Sequence, residues 1–353
     1  MTAAYPSSQN TFIRDHDATN KMVIDFARNV NKFAVNKYTQ TVPVKKIAGY
    51  YLKMTIEEAG RILAADLANF SWADGQPAPE GNDGLESFEY LPFEAKRYAY
   101  PFLLGDLTID QASWNILAAH SSIKSRQAMT ARTQLAITAL TTEASYAASH
   151  RIDVTASGTG GVTGNTGNWA QSTTARQDIK RSLTTAAEVI LDDTLAAVEL
   201  DDLVVVINSA LAADLSQTQE IVDYIKGSPD ALAQIKGELP GENAMYGLPN
   251  KLYGFPIIVE KTRKVTSVKG ATRAASQILA KATPFMVARP GALVGVADAP
   301  NFSTCCIFAH EEMTVETLRD ASNRRTMGRV VENLTAVLTA PVSGIIFSKV
   351  VAT

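Results

Sequence analysis

Leu85-Glu-Ser-Phe-Glu-Tyr-Leu-Pro-Phe-Glu-Ala-Lys-Arg-Tyr-Ala-Tyr-Pro-Phe102 is extended and partly alternating, and within a few residues it gives way to a segment of the opposite kind. After Gly105 neither glycine nor proline occurs until Gly158. Thr108-Ile-Asp-Gln111 fits a capping box, in which the threonine hydroxyl and the glutamine side chain each satisfy an otherwise unpaired backbone N–H. The spacing predicts a helix from about residue 109 to about residue 148, on the order of 60 Å long at 1.5 Å per residue. An ordinary globular helix has three or four turns. The middle of this one, Ala118 to Gln134, has only Ile123 and Met129 as large apolar side chains. With no wide apolar stripe to bury, it reads as a strut lying across a surface.

Upstream, Ile47-Ala-Gly-Tyr-Tyr-Leu-Lys-Met54 is a strand by its aromatic and branched content. Between it and Leu85 lies Trp72-Ala-Asp-Gly-Gln-Pro-Ala-Pro-Glu-Gly-Asn-Asp-Gly84, punctuated as an exposed tip. Two extended limbs and a turn-rich tip make a long hairpin. Two strands alone are marginally stable in water, so a partner from another subunit is expected. The first fifty residues hold few large apolar side chains. Met22 to Phe26 suits a short helix and Tyr38 to Lys46 an extended stretch, together an arm that leans on something else.

Downstream, Ser157 to Asn168 is a glycine-rich loop, and Thr174 to about Leu191 reads as a second helix. Strand and helix then alternate. Asp202-Leu-Val-Val-Val-Ile-Asn208 is a buried-type strand, Ser209 to Lys226 is helical, and Tyr253-Gly-Phe-Pro-Ile-Ile-Val259 is another strand. These close a compact α+β domain. From Thr304 onward, Cys305 to Phe308, Met313 to Leu318, Arg329 to Leu338 and Gly344 to Val351 read as strands of a second sheet that ends the chain. No internal repeat is present.

The chain has 353 residues, a formal net charge of −3 and 46 % hydrophobic residues, ordinary for one large or two modest folded domains. No window approaches the roughly 20 apolar residues of a bilayer span, and the polar start lacks the pattern of a secretion signal, so no membrane partner and a cytoplasmic site of assembly are expected. The two cysteines, Cys305 and Cys306, are adjacent and suit an apolar strand with reduced thiols. The charge is segregated. Residues 1–53 carry eight bases against three acids, +5; residues 57–94 carry one base against nine acids, −8; residues 261–289 carry seven bases and no acid. Blocks of opposite sign in one chain suit pairing between copies. The candidates for such contacts are Glu86, Glu89 and Glu94 in the acidic block and Arg97, Arg324, Arg325 and Arg329 among the bases.

No catalytic constellation emerges, and no catalytic, cofactor-binding or metal-binding residue is assigned. The four histidines are scattered, and His310-Glu311-Glu312 lacks the second histidine that a zinc-protease helix needs one turn on. The glycines from Gly158 to Gly167 have neither the lysine ending of a nucleotide-binding loop nor the spacing of a dinucleotide fold. No nucleophile elbow occurs. The basic segments around 261–289 and 319–329 lack interleaved aromatic platforms, so any contact with DNA is expected to be weak, sequence-independent and salt-sensitive.

The order of these elements resembles the major capsid proteins of tailed bacteriophages with the Hong Kong 97-type fold, a fold shared with encapsulins. So do the local phrases Trp72 to Pro77, Arg97 to Gly105, Gln127 to Thr133, Leu203 to Ala213 and Leu252 to Val259. The resemblance implies an α+β capsid fold: an N-terminal arm (1–46), an extended β-hairpin loop (47–105), a peripheral domain with a spine helix (106–199), an axial domain (200–300) and C-terminal strands returning to the peripheral domain (301–353). It implies a homo-oligomeric shell of pentamers and hexamers around double-stranded DNA. Some members carry an acidic N-terminal scaffolding segment. This sequence shows none, so a separate scaffolding protein is expected, alongside a portal and a decoration protein, or the chain is a version lacking that segment. Others weld a loop lysine to an asparagine of a neighbour, for which Lys96 with Asn323 or Asn333 are the nearest counterparts. Three other readings stand beside it: an encapsulin-like compartment, a tail-tube subunit, and an enzyme with an unrecognised site.

Overall fold

The computed structural model describes residues 32–54, 71, 74–77, 88–112, 114–155, 161–163, 165, 167–268, 270–291 and 303–352 of the chain. The expected short helix at Met22, the Trp72 to Gly84 tip for the most part, and half of the Gly158 to Gly167 loop lie outside them.

A single turn, α1 (Val35–Tyr38), buries Val35 and Tyr38 and leads into β1 (Gln40–Pro43). Strands β2 (Ala48–Met54) and β3 (Phe88–Glu94) pair antiparallel, Ala48 opposite Glu94 and Met54 opposite Phe88, as a ribbon of two strands. The expected second limb does not run straight on. It divides at Ala95, which is buried and donates its N–H to the Ile47 carbonyl at 2.8 Å. The chain then enters β4 (Lys96–Gly105), which belongs to a different sheet. A buried corner with its own hydrogen bond ends the ribbon, although the alternating pattern continues unbroken across it.

The long helix is also shorter than its glycine-free span. A five-residue helix, α2 (Asp106–Asp110), comes first and has no side-chain cap. The main helix, α3 (Ile116–Thr141), starts where Asn115 Oδ1 accepts the Ala118 N–H at 3.0 Å. Asparagine outcompetes the Thr108 capping box because Ile109, Ala112 and Trp114 are drawn into a cluster with Phe102, Leu104 and Ile116. At 26 residues α3 is about 39 Å long. Only its C-terminal half is continuously buried, through Ala128, Met129, Thr133, Ala136, Ile137 and Leu140, which fits a strut lying on a sheet.

Strand β5 (Arg151–Asp153) and helix α4 (Asp178–Asp193) open the second half. The entirely buried β6 (Leu203–Asn208) follows, and Asn208 caps α5 (Ser209–Leu215) by accepting from the Ala210 N–H. Next come α6 (Gln219–Gly227) and α7 (Pro229–Lys236), the latter stopped by Gly237 at a φ of 81°. Strands β7 (Lys251–Leu252), β8 (Phe255–Glu260), β9 (Arg263–Val265), β10 (Ala275–Gln277) and β11 (Phe285–Ala288) complete this part. Buried Glu220 on α6 fastens it to α4, accepting the N–H groups of Ile179 at 3.1 Å and Lys180 at 2.9 Å and the Tyr253 hydroxyl at 2.9 Å. A carboxylate at a helix N-terminus meets two unpaired donors and the positive end of the helix dipole.

Finally β12 (Cys305–Asp320) and β13 (Arg325–Leu338) form a long antiparallel hairpin, and β14 (Gly344–Ser348) ends the chain. One sheet has the order β1-β12-β13-β4 and carries α3 on one face. A six-stranded sheet has the order β5-β14-β11-β6-β8-β7. The expectation that Gly344 to Val351 extends the terminal sheet is therefore overturned. Between β13 and β14, Ser343 binds Thr304 and turns the chain; Gly344 then packs so tightly on Thr304 that a Cβ would fall 2.7 Å from its methyl group. β14 pairs with β11 instead, Ile346 opposite Phe285. Cys305 and Cys306 are free and buried, and burial pushes the Cys305 thiol far above its ordinary range.

Candidate assembly surface

Period-two alternation gives the β2–β3 ribbon two faces. One carries Tyr51, Leu91 and Phe93, which pack on Val42, Cys306, Phe308 and Val337 of the β1-β12-β13-β4 sheet. Phe93 stacks on Phe308 with ring centroids 4.5 Å apart, and Tyr51 adds a second ring contact at 5.7 Å. These rings seat the base of the ribbon on the body of its own chain. The other face carries Tyr50 and Tyr90, which are 71 % and 64 % exposed. A ribbon anchored on one side therefore offers aromatic area on the other.

The same division holds in the larger sheet. Tyr98 packs with residues of α3, Phe102 and Leu104 pack beside its N-terminal turn, and the Phe102 ring stacks toward His120. On the opposite face, the register places Leu318, Met327 and Leu103 in one row across three strands, and Leu103 and Leu318 are exposed. An adjacent row holds Glu316, Arg329 and Pro101. Exposed apolar side chains in register across strands form a patch and not scattered surface residues.

The contact candidates read from charge fare unevenly. Arg325 Nε binds Asp320 at 2.9 Å, and Arg329 Nε binds Glu316 at 2.5 Å directly across the strand pair, so both already have partners within the chain. Hydrogen bonds from Asn323, together with Arg325, hold the Asp320 carboxyl below its ordinary range. Arg97 lies 4.0 Å from Glu311, a loose and exposed pair. Arg324 sits exposed in the turn with a φ of 45°, and Glu94 is exposed at the ribbon's base. Among the described residues, neither has an ion-pair partner. Glu86 and the Glu89 side chain lie outside the described residues. Lys96 is exposed, whereas Asn333 is buried within β13 and Asn323 donates to Asp320 at 2.7 Å. The charge reading missed the exposed tyrosines and leucines altogether.

Beneath the sheet, Glu332 is buried facing α3. The Tyr100 hydroxyl donates to Glu332 Oε1 at 3.4 Å, Oε2 has no hydrogen-bond partner, and Arg132 lies across from it. Burial pushes the Glu332 carboxyl up to about 7 even against the pull of Arg132 and Tyr100. Arg132 in turn donates to Thr41, tying helix, sheet and arm together. His310 faces the Val44 carbonyl at 3.2 Å. Among the described residues no group of His, Cys, Asp and Glu is placed to hold a metal ion, and no helix is long and apolar enough to cross a membrane.

No family model matches the sequence, and no curated protein does. Solved structures do resemble the fold. A phage-related protein from Bordetella bronchiseptica RB50 is 14 % identical with a TM-score of 0.58, covering 92 % of this chain and 93 % of that one. The capsid of the cyanophage P-SCSP1u is 12 % identical with a TM-score of 0.54, covering 96 % and 93 %. The capsid of a native GTA particle is 11 % identical with a TM-score of 0.52, covering 99 % of both chains. Over its described residues, this chain has the fold of tailed-phage capsid proteins, the Hong Kong 97-type fold.

Proposed function

We propose that the chain is a major capsid protein, a structural subunit that assembles into pentamers and hexamers of a closed icosahedral shell around double-stranded DNA. The likeness to capsid structures over nearly the whole length of both chains is the observation that carries this reading. In this reading residues 1–46 are an arm, 47–105 the extended loop, 106–199 and 301–353 a peripheral domain, and 200–300 an axial domain. The exposed Tyr50 and Tyr90 face of the loop covers a neighbouring subunit, and Glu86, Glu89, Glu94, Arg97 and Arg324 contribute charge at that contact. Arg325 and Arg329 act there as parts of ion pairs with Asp320 and Glu316.

Assembly needs no unusually strong contact. A heterologous contact that closes by rotation gives rings, and rings of two sizes close a shell. Interfaces of ordinary size, about 1,600 Å², suffice because each subunit makes several at once. A separate scaffolding protein directs closure, a portal and a decoration protein complete the particle, and the shell is built in the host cytoplasm. Packaged DNA touches the shell through weak, salt-sensitive phosphate contacts. Sedimentation velocity tests the reading. The purified 37.9 kDa chain, alone or with its scaffolding partner, is expected to form rings or shells sedimenting far ahead of the monomer. A monomer or dimer under every condition contradicts it.

A further inference from the structure

Two oppositely charged features stand at opposite ends of the same pair of strands. β6 and β8 run parallel, with Val205 opposite Ile257 and Asn208 opposite Glu260. Beyond their C-terminal ends projects the two-stranded β9–β10 ribbon, held at its base where Gln277 Nε2 donates to Ser209 Oγ at 2.6 Å. Residues 261–277 carry Lys261, Arg263, Lys264, Lys269 and Arg273 and no acid, hence +5. Arg263 and Arg273 are exposed, and so are Val265 and Val268.

The other end is acidic. Residues 188–202 carry Glu188, Asp192, Asp193, Glu199, Asp201 and Asp202 and no base, hence −6. They reach the N-terminal end of β6, because Asp202 directly precedes Leu203. Asp193 stands at the same end, since His150 joins it to Gly344 at the start of β14. Within the chain Arg289 binds Asp202 and Lys251 approaches Asp201, while Glu188, Asp192 and Glu199 have no ion-pair partner among the described residues. Two local features oppose this arrangement in an isolated subunit. Asp192 and Asp193 occupy the last turn of α4, which has no basic residue, where the helix dipole disfavours anions. Leu195 and Ala196 adopt left-handed φ angles of 51° and 58°, with Leu195 and Leu200 exposed.

A six-residue strand spans about 20 Å, more than twice the screening length of about 8 Å in physiological salt. The two features therefore cannot neutralise each other within one subunit, and their polarity along the strands suits a head-to-tail contact between copies. We propose that the basic β9–β10 ribbon of one copy, with Val265 and Val268 at its centre, docks on the acidic end of the next copy's six-stranded sheet, with Leu195 and Leu200 at its centre. The contact deepens the shell reading by naming one interface between its subunits.

Charge swaps test it. Reversing the ribbon (Arg263→Glu, Lys264→Glu, Arg273→Glu) or the acidic end (Glu188→Lys, Asp192→Lys, Glu199→Lys) should raise the concentration needed for self-association by about tenfold or more. Thermal melting should not fall below the wild-type value, and far-UV circular dichroism should stay at it. The chain carrying all six reversals is complementary again and should regain association, a recovery that misfolding would not give. Normal association by either triple variant, or a six-fold variant no better than the triples, overturns the contact while leaving the shell reading intact. A wild-type chain that never self-associates overturns both. If ribbon reversal leaves association unchanged and abolishes retention of plain duplex DNA, the ribbon is a nucleic-acid surface and the contact is likewise overturned.

Discussion

The ring of Phe102 lies flat across Gly328: a Cβ built on that glycine would fall 2.1 Å from the ring. The two residues are register partners on β4 and β13, and Phe102 reaches His120 on α3 at a ring-centroid distance of 5.9 Å. Glycine is required here by space and not by backbone angle. Gly328→Ala should cost about 1–3 kcal/mol through overpacking, read as a lowered urea midpoint. Adding Phe102→Leu should recover part of that loss, and an unchanged midpoint in the single variant contradicts the packing account.

Burial raises the Glu332 carboxyl from 4.5 to about 7. The folded state therefore holds the proton more tightly than the unfolded chain, and stability falls as pH rises between about 4.5 and about 7. Tyr100, Arg132 and Glu312 are the charged or titratable groups acting around this site. Glu332→Gln cannot titrate, so its stability should change less than that of the wild type over this window, by about 1–3 kcal/mol. Parallel urea titrations at pH 5 and pH 8 measure the difference. Equal slopes would mean that the carboxylate is already ionised at pH 5.

Tyr50 and Tyr90 make large exposed areas that the isolated subunit does not use. Tyr50→Ser with Tyr90→Ser should leave the unfolding midpoint within about 0.5 kcal/mol of wild type and sharply reduce the yield of assembled particles. Phe93→Ala, on the covered face, should instead destabilise the seat of the ribbon by about 3 kcal/mol or more and expose it to protease. A loss of fold in the tyrosine variant, or no loss of assembly, would contradict the division of the two faces.

Replacing Glu86, Glu89 and Glu94 by lysine converts three charges of the acidic block. The expected result is a folded subunit that fails to assemble and whose residual association weakens less with added salt than that of the wild type. Unchanged particles would remove electrostatics from the loop contact and leave the tyrosines to account for it.

Much of the architecture was legible because it rests on local chemistry. The unbroken apolar run Leu203 to Ile207 makes a fully buried strand, and the asparagine that ends it, Asn208, caps the following helix. Where local signals compete, the sequence does not rank them. Thr108 fits a helix start, yet α3 begins seven positions later behind Asn115, and the outcome depends on Trp114 and Ile109 joining a cluster with Phe102 on β4. The corner at Ala95 and the transfer of β14 to the six-stranded sheet are decided by distant partners, Ile47 and Phe285. The contact residues show the same limit. Composition revealed the charge blocks, but the pairing of Arg329 with Glu316 needs the strand register, and alternation cannot say whether Tyr50 or Tyr51 faces out.

The most direct measurement is cryo-electron microscopy of the purified chain, expressed alone and with its neighbouring genes. The account predicts closed icosahedral shells in which the Tyr50 and Tyr90 face of each β2–β3 ribbon lies against a neighbouring subunit. Single subunits under every condition, or particles in which that face points into solvent, would contradict it.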